Sequence, residues 1–214
     1  MKKFFKIILG IFALVLVAII ALVISFNLSM KPDKEKEEEV MGQAEQYLEE
    51  KFNDDFEIFD TLFDNMGNFE FEYAAKVRDK VNQIEFLVYM DNETNEMVDT
   101  YVADKWAAEL ENAVRTYVKD NFGEKVEYFA MFSDEIGIDL GIDPLNVGSY
   151  KDFDITATIH ITLPREKSEN DDTLFNNFVS YLENSDLLQH GTVFVGYVAE
   201  NGVILEEEGW SKDF

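Results

Sequence analysis

Two histidines, His160 and His190, and 44 Asp and Glu residues are the groups in this chain best able to do acid–base or metal chemistry, and it has no cysteine. Two histidines without cysteine make a poor zinc set, since such sites draw on three or four convergent ligands. As a general base either histidine needs an adjacent nucleophile and an orienting acid. No Gly-x-Ser-x-Gly elbow or comparable turn is present. The acids at Asp91–Glu96 and Asp134–Asp143 lack the order of Asp, Asn and Gly with which an EF-hand wraps calcium. Paired carboxylates for glycoside cleavage need a set separation in space, which neighbours such as Asp54-Asp55 or Asp171-Asp172 do not define. The reading is therefore non-enzymatic, with no catalytic residue, no metal and no cofactor, and the chemistry left is recognition.

Two segments carry it. Asp134 to Asp143, DEIGIDLGID, alternates apolar residues with Gly or Asp. As an inserted loop spanning 133–149 it presents Ile138, Leu140 and Ile142 to a partner, with Asp139 and Asp143 at the rim. The same alternation also describes one more strand packed on the core. Further on, Asp152 to Leu163 alternates strictly. Phe153, Ile155, Ala157, Ile159, Ile161 and Leu163 face the core, leaving a polar row of Asp154, Thr156, Thr158, His160 and Thr162 on the other side. That row lines a binding surface or is an ordinary Thr-rich solvated face. The residues expected to touch a partner are thus Ile138, Asp139, Leu140, Ile142, Asp143, Thr156, Thr158 and His160.

These segments need elements to hold them. Val40, Ala44, Tyr47, Leu48 and Phe52 fall on one helical face, and Leu110, Val114, Tyr117, Val118 and Phe122 repeat the spacing. Tyr47 and Tyr117, Phe52 and Phe122, Glu57 and Glu127, and Phe59 and Phe129 share one offset, which suggests an internal duplication. Each helix leads into short alternating strands: 56–63, 69–77, 84–90 and 97–102 in the first half, 126–132, 152–163, 193–198 and 203–207 in the second. Asn201-Gly202 is a hairpin signal closing the last pair. A further helix over 173–184, with Asp172 as its cap, has no counterpart in the first half. Short connections imply antiparallel pairing, so the expected class is α+β, in two helix-plus-antiparallel-sheet units at 40–109 and 110–214.

Residues 7–26, IILGIFALVLVAIIALVISF, hold no charge and match the hydrocarbon thickness of a bilayer. Lys2, Lys3 and Lys6 precede them, so the tail 1–6 is expected in the cytoplasm, the stretch 27–39 forms a charged stalk, and the remainder lies outside. The run exceeds the apolar core of a cleaved signal peptide, which favours an uncleaved signal-anchor on the cell membrane. Without cysteine no disulfide forms, which suits a Gram-positive surface. The net charge of −26, more negative still beyond the lysine-bearing tail, opposes nucleic acids and attracts basic proteins. It also serves solubility.

MKKFFKIILG, the uncleaved span and the AEQYLEEKFNDDFEIF unit resemble small signal-anchored extracytoplasmic proteins of Gram-positive bacteria, some of them immunity proteins to toxins exported by type VII secretion. That resemblance covers the anchor and the first helix-strand unit and assigns no residue a role. It implies a membrane-anchored binding protein that sequesters a basic secreted toxin. The other reading is a structural or regulatory subunit of a cell-envelope complex.

Overall fold

The computed structural model describes residues 14–26, 30–52, 55–199, 201–205 and 208–214. Helix α1 (14–26) consists of apolar residues and one Ser, and every residue in it is exposed. No helix among the described residues is long and apolar enough to cross a membrane. The expected span also includes residues 7–13, which lie outside the described residues.

Helix α2 (Lys34–Lys51) starts where the Asp33 carboxylate accepts the Glu35 N–H, satisfying one of the orphan donors of the first turn. Of the stretch 27–39 read as a stalk, residues 34–39 are the first turns of this helix, and 27–29 lie outside the described residues. Its side chains are long and solvated, and Lys36 and Glu37 are held by Glu72, just ahead of the second strand, and by Thr61 of the first. Strands β1 (Phe56–Phe63), β2 (Tyr73–Asp79), β3 (Glu85–Met90) and β4 (Met97–Asp99) form an antiparallel meander in chain order. Ala44, Tyr47 and Leu48 of α2 pack on Ala75, Val77, Phe86 and Val88. Buried carboxylates set the two tight turns. Asp79 accepts the Val81 and Asn82 N–H groups and the Tyr101 hydroxyl, and Asp91 accepts those of Glu93 and Thr94. Each is 5% exposed or less and held below the usual carboxylate range, Asp79 by its hydrogen bonds against an opposing burial penalty and Asp91 chiefly by the Thr94 hydroxyl.

Helix α3 (Tyr101–Phe122) begins nine residues before the expected unit boundary at 110. Apolar residues over 97–102 read as strand. Asp99 instead accepts the Tyr101 N–H and turns the chain into helix, so β4 is three residues long. Tyr101 therefore packs in the first core, edge-on to Phe52, Phe56 and Phe86. One turn on, Trp106 enters the second core fully buried, its indole N–H donating to the Gly148 carbonyl at 2.8 Å. One helix thus stitches the two units.

The second sheet contains β5 (Glu127–Met131), β6 (Thr156–Leu163), β7 (His190–Tyr197) and β8 (Trp210–Asp213), in that spatial order. It corrects the expectation of purely antiparallel sheets, because β6 and β7 run parallel. Helix α5 (Asp171–Asn184) connects them, and such a crossover returns the chain to the end where it began. At Asn201-Gly202 the chain turns back as expected, the Ala199 N–H donating to the Val203 carbonyl and the Leu205 N–H to that of Tyr197 around the Val198–Ile204 bridge, but among the described residues 203–205 form no further ladder, and the strand beside β7 is β8. Asp172 does not cap α5. Its neighbour Asp171, 3% exposed, takes both guanidinium nitrogens of Arg165, the Tyr197 hydroxyl and the Ser168 N–H. Helices α3 and α5 bury Ile159, Ile161, Val193 and Val195 on one face of the sheet.

The repeat at one offset recurs in geometry. Tyr47 and Phe52 sit 6.3 Å apart and tilted at the end of α2, and Tyr117 and Phe122 sit 6.4 Å apart and tilted at the end of α3.

Candidate functional site

The inward side of the second sheet meets the two helices, and its outward side is open. Alternation along β6 places Thr156, Thr158, His160 and Thr162 on that open side, as expected, while Ala157, Ile159, Ile161 and Leu163 are buried. Strand register then adds residues that lie far away in sequence. Phe129 of β5 pairs with His160, and His160 pairs with Phe194 of β7. The three rings stack across the strands: Phe129 and His160 are 4.8 Å apart at 7°, His160 and Phe194 5.1 Å apart at 17°. In the next row Met131 lies beside Thr158 and Thr192. Phe129, Met131 and Phe194 are each more than 40% exposed. The centre of the face is thus an apolar ridge in a field of threonines, and its edges carry Glu127 and Asp213.

Between two rings, the His160 imidazole loses water, and burial lowers its pKa, favouring the neutral ring. His190 lies on the same face, opposite Thr156, with Asp154 at 3.9 Å and both side chains well exposed. The two histidines are four positions apart along the strands and do not meet. Among the described residues no three acids or histidines converge as metal ligands.

The open side of the first sheet is different. There Arg78 lies between Glu57 and Glu85 and covers the Phe59 ring, and Lys76 pairs with Asp60. Charges on that ladder are paired within the chain, whereas among the described residues the strands of the second sheet place no Lys or Arg on their open side.

The segment 133–149 is neither a strand on the core nor a free loop. It makes one helical turn, α4 (Ile136–Asp139), and one 3₁₀ turn, Pro144–Asn146, and a second 3₁₀ turn, Tyr150–Asp152, follows directly after it. Two of its glycines explain why alternation misleads here. A Cβ on Gly137 would come within 2.8 Å of the Val102 side chain, so glycine lets α4 lie directly on α3. Gly141 takes φ +63 and ends the turn. Ile136 is buried, and Ile142 packs against the second core, whereas Ile138 and Leu140 are exposed at 48% and 42%. Asp139 and Asp143 are exposed, and Asp143 caps the Leu145 N–H. The expected site residues therefore form two separate groups, one on the open sheet face and one beside α3, which packs on the opposite face of that sheet. Gly137→Ala is expected to push α4 off Val102 at a cost of about 1–3 kcal/mol, measured as a lower denaturant midpoint. Retention of the midpoint would mean that α4 is loosely seated.

Phe129, Met131 and Phe194 were absent from the sequence expectation. Alternation within β7 puts Phe194 and Thr192 on one side, but nothing local pairs β7 with β6. Compared with protein-family models, curated proteins and solved structures, the chain finds no match.

Proposed function

We propose that this chain is a membrane-tethered, non-enzymatic binding protein that holds a basic protein partner on the open face of its second sheet. The observation that carries the reading is the stacked Phe129–His160–Phe194 ridge, exposed and uncovered in a chain of 44 acids and 18 basic residues. Exposed apolar patches with a polar surround mark interaction surfaces. Charge complementarity selects the partner: Glu127 and Asp213 flank a face without cations, and the whole chain's field draws in basic proteins. In this arrangement the field sets the encounter rate and the ridge sets residence.

The tether is supported by α1, whose Leu14, Val17, Leu22 and Phe26 are all more than 60% exposed. Leaving such a surface in water is costly, at roughly 25 cal/mol per Å² of apolar area, and a bilayer removes that cost. With the lysines ahead of the run, the folded units lie on the extracytoplasmic side. A tether concentrates an inhibitor where its target acts, which fits sequestration of an exported toxin.

The test starts from host membranes washed with alkaline carbonate, from which the full chain is expected not to be released. Solubilised and mixed with proteins secreted by its host, it should retain one basic, stoichiometric partner through a moderate-salt wash. Phe194→Asp, on an exposed position, should lower that retention at least about tenfold with the thermal midpoint unchanged. Release by carbonate would overturn the tether, and retention that ignores Phe194→Asp would overturn the sheet face as the site.

A further inference from the structure

A cleft lies between the two units, away from the open sheet face. Phe69, Glu70, Phe71 and Tyr89 of the first unit face Asp134 and Glu135 of the second across a cleft of about 300 Å³. Its aromatic side is a row of three rings. Phe69 and Phe71 lie parallel with centroids 5.0 Å apart, and Phe71 and Tyr89 are 4.4 Å apart. Phe69 is 46% exposed, whereas Tyr89 is only 3% exposed. The Tyr89 hydroxyl makes no hydrogen bond among the described residues, yet it is not sealed inside the protein as that of Tyr150 is. It reaches solvent at the cleft.

We propose that this cleft binds an organic cation, an alkylammonium or guanidinium group, held by the carboxylates of Glu70, Asp134 and Glu135 against the exposed Phe69 ring, which Phe71 and Tyr89 back. Aromatic faces and carboxylates together are the usual recognition chemistry for such groups. The chain itself uses the pairing elsewhere: Lys36 lies over Tyr73 while paired with Glu72, Arg78 over Phe59 with Glu57 and Glu85, and Arg165 over Tyr197 with Asp171. In the cleft the rings and acids are assembled but no Lys or Arg pairs with them among the described residues. The carboxylates show the strain of this. Burial raises Asp134, and burial with repulsion from Glu70, Asp91, Asp139 and Glu93 raises Glu135. Burial, then Asp134, Glu135, Glu70 and Asp91, push the Tyr89 hydroxyl up to about 12. An incoming cation relieves every one of these repulsions. The acids rim the cleft without converging as metal ligands, which suits a dispersed charge better than a divalent ion.

The inference does not depend on the open sheet face, and its probe is small. Spermidine, and separately a short Arg-Lys peptide, would be titrated into the full chain in an uncharged detergent at about 0.15 M salt, where loose surface attraction is screened. Saturable one-to-one binding of either is expected. Spermidine alone would identify a free polyamine as the ligand, and the peptide alone a side chain of a protein. Phe69→Ala and Glu135→Gln should each weaken binding at least about tenfold, while Glu50→Gln, which removes an equal charge from α2, should leave it unchanged. Equal weakening by Glu50→Gln, no saturation with either probe, or displacement of spermidine by equimolar calcium would overturn the proposal. None of these outcomes touches the Phe194→Asp result.

Discussion

Trp106→Ala is expected to cost about 3–5 kcal/mol, the largest loss from any single truncation in the chain. Trp106 is 0% exposed, packs against Phe132 at 5.9 Å and Phe153 at 5.2 Å, and donates its indole N–H to Gly148. Truncation leaves a cavity the size of an indole at the point where α3, β5 and the 133–149 segment meet. It also leaves the Gly148 carbonyl without that donor. Since a domain holds only about 5–15 kcal/mol in all, the variant should sit near its folding threshold, with the denaturant midpoint sharply lowered. Trp106→Phe separates the two losses: it keeps most of the volume and removes the N–H, and should cost about 1–2 kcal/mol. Hydrogen exchange in the phenylalanine variant should rise first around residues 147–153. If both variants cost the same, the hydrogen bond and not the packing is what seats the segment.

Asp104→Asn should stabilise the protein at pH 8 and do little at pH 4. Asp104 lies in the first turn of α3, partly buried, where desolvation above all raises its carboxyl from 3.8 to about 7. The Thr100 hydroxyl, which donates to it, opposes that rise, and Asp134, Asp99 and Glu111 add to it. The unfolded chain releases this proton near pH 4 and the folded chain only near pH 7. Stability therefore falls as pH rises through that window and is lowest above it. Each pH unit is worth about 1.4 kcal/mol, a ceiling of about 4 kcal/mol. Residual solvent contact reduces it, so the expected gain at pH 8 is about 2–3 kcal/mol. Asn keeps an oxygen for the Thr100 hydroxyl, so the variant isolates the charge. Unfolding curves of both proteins between pH 4 and 8 check it: wild type should slope downward and Asp104→Asn should run flatter. Parallel curves would show an ordinary carboxylate. Because Asp134 belongs to the cleft between the units, a cation bound there should also lower the Asp104 carboxyl.

The sequence on its own determined the α+β class, the helix faces of α2 and α3, the α5 segment and the outward row Thr156, Thr158 and His160. Each of these follows from a local period: a residue three or four positions on shares a helix face, and one two positions on shares a strand face. Only the tertiary structure decided that β6 and β7 run parallel, that Phe129 and Phe194 flank His160, and that α3 starts at Tyr101 in one core and continues into another. It also decided that Gly137 seats a helical turn on α3 rather than continuing a strand, and that Glu70, Tyr89 and Glu135 share a cleft. The reason is physical. Periodicity records which way a side chain points, whereas strand register and helix docking depend on contacts between residues tens of positions apart, and no local pattern carries their partners.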